Sequence, residues 1–210
     1  MTDNQTAAVT ETPTIALPPL PDIAPVKFWL LLLTGVLAMI SVGLFGYSVM
    51  ALFLDLGSEM VLGLPVLLGA AAIVVLGVVI FCKYFYRIWA IIPEDIRRTE
   101  PGYAVGFQFI PLFNLYWMYV AYYGWAQDYN EYLKQTGQTD VKPVNEQLFL
   151  AYPVMAWLAL VAGIIPVLES VASPLSNGAM GIMLVLLFFM CRAVNQAIAA
   201  RSGAVAETDS

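Results

Sequence analysis

Polar side chains are scarce in this chain, so the few that interrupt apolar sequence are where chemistry would have to reside. From Arg98 to Trp117 the chain reads RTEPGYAVGFQFIPLFNLYW, with Gln108 and Asn114 among aromatic and aliphatic neighbours. An amide there both donates and accepts, which suits a helix cap, an interhelical hydrogen bond or a ligand contact. Pro101-Gly102 fits a turn, proline fixing φ and glycine supplying φ > 0 at the next position. Pro111 lacks an N–H and biases Ile110 away from helix, so a helix is expected to begin near it. Pro101, Gly102, Pro111, Asn114 and Trp117 are therefore the candidate structural or functional residues of this segment.

A second set is cationic. Lys83 and Arg87 stand one helical turn apart, Arg97-Arg98 follow, and Arg192 closes a later apolar run. Such residues at the end of membrane helices suit contact with anionic lipid headgroups. The alternative is that they set topology and pair locally, as Glu94 would with Arg97 or Arg98.

Other chemistries lack their residues. There is no histidine, which excludes His-based metal sites, a Ser-His-Asp triad and an H-E-x-x-H motif. No G-x-x-x-x-G-K-[ST] loop occurs, and no carboxylate or lysine in a span core marks an ion or proton path. Asp55, Glu59 and Glu169 flank apolar runs and read as solvated loop charges. Cys82 and Cys191 read as small apolar helix residues rather than a disulfide framework. Nine basic residues against fifteen acidic ones leave no nucleic-acid footprint. The expectation is a protein without catalytic residue, cofactor or metal.

The elements that must position these residues belong to a membrane domain. Hydrophobic residues make up 60% of the chain, charged ones 11%, and mean hydropathy is +0.78, too apolar for a water-covered surface. Residues 28–54, 60–82, 101–127, 147–168 and 170–191 contain no Asp, Glu, Lys or Arg. Each run exceeds the ~20 residues that cross a hydrocarbon core as a helix. Residues 1–25 hold five prolines and no basic residue, and read as a disordered tail; 202–210 reads as a second one. The tail lacks the positive region of a signal peptide, so the first run is expected to be an uncleaved anchor.

Basic residues stay on the cytoplasmic side because insertion resists moving them across. If 101–127 does not cross, Lys27, Lys83, Arg87, Arg97, Arg98, Lys134, Lys142, Arg192 and Arg201 all share one face. If it crosses, the nine divide five against four. Eleven of the 27 aromatic residues lie between Gly106 and Tyr132, continuously rather than at two ends as in a spanning helix. The expected fold is an all-α integral membrane protein with one domain, 26–201. Four transmembrane helices, about 28–54, 60–82, 147–168 and 178–200, form two hairpins flanking an aromatic-rich interfacial or re-entrant helix within a non-crossing segment, 101–134. The hairpin turns are expected near Leu56–Met60 and Ser173–Gly178, with both termini cytoplasmic.

The pattern R-T-x-P-G-x-A-V-G-x-x-F-I-P-x-x-N-L, Arg98 to Leu115, resembles the hallmark of a bacterial membrane family catalogued as domain of unknown function 4328. Tyr86-Arg87-Ile88-Trp89 is similar to that family's aromatic-basic helix end, whereas Tyr116-Trp117-Met118-Tyr119 departs from its basic-aromatic-proline step. The resemblance covers about residues 84–135. It implies a multi-span bacterial inner-membrane protein and transfers no catalytic residue.

The function expected is therefore a non-enzymatic lipid- or protein-interaction module, its working surface on the cytoplasmic-side aromatic segment. Its partners would be the lipid bilayer and a membrane protein or second copy of the chain, not nucleic acid. The alternative is a small oligomeric channel or permease with a re-entrant break at Pro111–Asn114.

Overall fold

Charge-free runs of Leu, Val, Ile and Ala satisfy their backbone N–H and C=O groups internally only as helices. The computed structural model describes residues 27–33, 35–37, 50, 60–138 and 141–208, and of 60–67 and 201–208 the backbone alone. All regular structure among the described residues is helical. A short apolar helix α1, Phe28–Leu37, opens the described chain. It is followed by α2 (Met60–Ala90), α3 (Pro101–Gly106) with a 3-10 turn at Phe107–Phe109, and α4 (Phe113–Met118). A π-helical turn at Tyr119–Gly124 leads into α5 (Trp125–Thr136), and α6 (Glu146–Ile164) connects through a 3-10 turn at Pro166–Leu168 to α7 (Glu169–Thr208).

Three stretches, Leu68–Ala90, Glu146–Ile164 and Pro166–Ala200, are long and apolar enough to cross a membrane. They leave Leu68, Val75, Leu76, Val79, Leu158, Val161 and Ile164 exposed, as lipid-facing helices do. Most of the expected span 28–54, the turn near Leu56–Met60 and the tail 1–25 lie outside the described residues.

The second expected turn is corrected. Residues 173–178 are helical and belong to α7; the chain reverses at Ile165–Leu168 instead. Ile165 precedes Pro166, whose ring disfavours helical geometry for it, and it is extended (φ −94°, ψ 112°). Beyond this turn α6 and α7 run antiparallel, with Gly163 against Ala172 and Gly178 against Met155. A Cβ on Gly178 would sit 2.8 Å from Met155 Cε, so glycine there serves close helix approach rather than a turn. The last apolar helix therefore starts before 178, and its backbone continues to Thr208.

The core gathers at one end of the bundle. Phe85, Ile88, Trp89 and Ile92 around the end of α2 meet Trp117, Tyr122, Trp125, Tyr129 and Tyr132 of the central segment. Phe149 from the start of α6 and Leu186, Met190, Val194 and Ala197 from the far half of α7 complete it. Caps fix the ends of the elements around this core. The Asn145 side chain accepts from Gln147 N–H at 3.0 Å and starts α6. Gly137, at φ 63°, ends α5 in the left-handed conformation that lacks a Cβ penalty only for glycine.

Candidate functional site

The segment 101–136 is not one straight helix. Pro101 opens α3 at its first turn, where its missing N–H costs nothing, and is buried. Gly102 is exposed and helical, so the expected Pro101-Gly102 turn is corrected: among the described residues only Gly137 is a glycine with positive φ. The break comes at Pro111, as its chemistry demands. Ile110 is extended (φ −87°, ψ 110°), and Leu112 takes φ 63°, ψ −46°, a strained setting for a branched side chain. Asn114 N–H donates to Ile110 O at 2.9 Å, starting α4 just beyond the elbow.

Aromatic rings close the two arms onto each other. Phe107 stacks on Tyr103 (centroids 5.3 Å) and stands edge-on to Trp117 (4.8 Å) and Phe113 (5.2 Å). Ala104 O accepts from Trp117 Nε1 at 3.2 Å and from Gln108 Nε2 at 3.0 Å. Trp117 is thus buried between the arms, while Phe109, Ile110, Leu112 and Tyr116 form an exposed apolar tip; Leu112 is 83% exposed. Among the described residues the Asn114 side chain does not bridge to another helix, and its buried Oδ1 has no hydrogen-bond partner.

The base of this loop is locked by a pair 30 residues apart in sequence. Asp128 Oδ1 accepts from Arg98 Nε (2.9 Å) and Nη2 (2.8 Å), and Oδ2 accepts from the Arg98 backbone N–H (2.9 Å). Gln127 Oε1 takes a further bond from Arg98 Nη2 at 3.0 Å. The guanidinium lies across Gly124, where a Cβ would be 2.9 Å from Arg98 Cδ and 3.1 Å from Nε. Gly124 and Asp128, one helical turn apart, form the seat, and the π-helical turn ending at Gly124 sets their register. Both arms therefore start from one level.

From that base the second arm runs antiparallel to α6. Asn130 Nδ2 donates to Glu146 Oε1 (2.9 Å) and Val144 O (3.0 Å), and its Oδ1 accepts from Val144 N–H (2.9 Å). Trp125 lies against Phe149, Tyr122 against Tyr152, and Trp157 Nε1 donates to Leu115 O at 3.0 Å. From Glu146 to Trp157 is about 16 Å of helix at 1.5 Å per residue. Trp125 Nε1 also donates to Ile88 O of α2 (3.0 Å), and Tyr129 Oη to Ala193 O of α7 (2.9 Å). Burial drives the Tyr129 phenol well above its usual pKa, with Tyr132 beside it adding to the shift.

The five candidate cations differ in their partners. Arg98 is held by Asp128, and Arg97 pairs with Glu94 at 2.8 Å, the local pairing that spacing suggested. Lys83, Arg87 and Arg192 make no ion pair among the described residues. Arg192 lines one groove with Lys27 and another with Lys142. Gly124, Asp128 and Asn130 are functional positions that the sequence alone does not single out, and the two polar ones are buried. Their signal was available only as polar residues inside an aromatic run. No group of three or more His, Cys, Asp or Glu side chains poised for a metal occurs among the described residues. Comparison of the chain with family models, with curated proteins and with solved structures returns no match.

Proposed function

We propose that the central segment is a re-entrant elbow of a four-span protein, and that the protein is a non-enzymatic interaction module. Its working surface is the apolar tip Phe109–Phe113, offered to lipid or to a membrane protein. The observation that carries this reading is the Arg98–Asp128 clamp below an exposed apolar tip. With entry and exit tied at one level, the second arm reaches about 16 Å along α6, roughly half of a ~30 Å hydrocarbon core. Trp125 and Trp157 tie the second arm to α2 and α6, so packed helices hold the arm while the break itself stays at the exposed tip. The nine-to-none distribution of basic residues supports the same topology, with both termini cytoplasmic. The bacterial inner membrane enters through the resemblance of the Arg98–Leu115 pattern.

A photo-crosslinking side chain at Leu112, in membranes, tests the function. Adducts to lipid or to a discrete membrane protein are the expected result. Reproducible passage of an ion or small solute through the purified protein in liposomes would instead favour the channel reading and overturn the module.

A further inference from the structure

A groove of about 880 Å³ runs between α1 and the far half of α7. Phe28, Trp29, Leu33 and Phe188 make its walls apolar, while Lys27 and Arg192 are its charged residues. A neighbouring groove of about 350 Å³ places Lys142 on the other flank of Arg192. Among the described residues neither groove is lined by an Asp or Glu. Three cations without a lining carboxylate, at the rim of apolar walls, are complementary to a molecule with an anionic head and a hydrocarbon body. A water-soluble anion would leave the walls unused, and a neutral lipid would leave the cations without a partner. The volume lies within the ~300–1,000 Å³ range of ligand clefts. The position also fits: Lys27 and Lys142 precede α1 and α6, and Arg192 follows the charge-free run 170–191 within α7, so the cations stand where apolar sequence ends.

We propose that this groove holds an anionic glycerophospholipid, an acyl chain along Phe28, Leu33 and Phe188 and the phosphate at the Lys27–Arg192 mouth. The site rests on the membrane reading above but deepens it. Of the five cations expected from sequence it keeps Arg192 and adds Lys27 and Lys142, because Arg97 and Arg98 are occupied by carboxylates and Lys83 and Arg87 line neither groove.

The test uses the full chain in neutral detergent and phosphatidylglycerol with brominated chains, which quench tryptophan on contact. Trp29 lines the groove and is 77% exposed, so it reports occupancy. Quenching is expected to saturate in the parent protein and to lose its tightest component in Trp29→Phe. Lys27→Gln with Arg192→Gln should weaken the apparent affinity by about 25-fold, at about fivefold per cation near an anionic headgroup. Arg192→Lys should stay within about twofold and Lys83→Gln should be neutral, which separates charge at this site from general surface charge. Equal quenching by brominated phosphatidylcholine, or unchanged affinity in the double variant, would overturn the proposal. So would full protection by millimolar inorganic phosphate, which would mark a free-anion site. A lipid signal that appears only after deletion of residues 1–25 would show the groove filled by the chain's own segment and would also overturn it. Crosslinking from Leu112 is independent of these cations, so failure here and failure of the interaction module are distinguishable.

Discussion

Arg98→Ala and Asp128→Ala, with the double substitution, test the clamp that closes the elbow. The Asp128 side chain is 7% exposed and the Arg98 side chain 36%, so the two truncations are not equivalent. Removing the arginine strands a buried carboxylate that keeps only the backbone N–H of residue 98, at about 3 kcal/mol. Removing the aspartate frees a guanidinium that already reaches water. What remains is an orphaned backbone donor and lost charge-assisted bonds, about 2 kcal/mol after allowing for that exposure. The double variant has no stranded charge and should fall short of the sum, leaving a coupling of about 1.5–2 kcal/mol. The assay is reversible unfolding in mixed micelles followed by tryptophan fluorescence, each variant being compared at the same detergent composition. Coupling within about 0.3 kcal/mol of zero would refute the pairing, because residues that do not interact contribute additively. Coupling without the predicted asymmetry would refute the assignment of Asp128 as the more deeply held partner.

The seat and the far end of the segment supply two further expectations. Gly124→Ala places a Cβ 2.9 Å from Arg98 Cδ and should destabilise by about 1–2 kcal/mol, and most of that cost should vanish in an Arg98→Ala background. Tyr129→Phe removes the bond to Ala193 O, a loss of about 1 kcal/mol at neutral pH. Its pH dependence has a fixed sign. The folded phenol titrates above the unfolded one, so its contribution is complete below about pH 10 and is lost as pH rises through the folded value. Melts of wild type and Tyr129→Phe should therefore differ at pH 8 and converge at strongly alkaline pH.

Local chemistry made part of this architecture legible in advance. Charge-free apolar runs foretold helices, and Pro111 foretold the break, because its effect on Ile110 is a nearest-neighbour one. The same rule applied to Pro166 locates the α6–α7 turn, whereas the turn expected at Ser173–Gly178 is helix: turn-forming residues pack inside a helix when a neighbour such as Met155 needs the space. Pro101-Gly102 misled likewise, since a proline at the first helical position is as good a start as a turn. The clamp was hidden for a different reason. Arg98 and Asp128 are each adjacent to polar residues in sequence and look solvated, and only the return of the chain around the elbow brings them together. Asn130 belongs to the same class, its partners lying at Val144 and Glu146 across the α5–α6 connection.

The central claim is that residues 101–134 enter and leave the membrane on one face. Cysteine labelling in a variant lacking Cys82 and Cys191 tests it most directly, with single cysteines at Gln135 and at Val167. Val167 is 88% exposed in the α6–α7 turn and serves as the outside reference. With a membrane-impermeant reagent on intact cells, Val167→Cys should label, and Gln135→Cys should label only after the membrane is opened. Labelling of Gln135→Cys from outside intact cells would make the segment a crossing helix and contradict the re-entrant account.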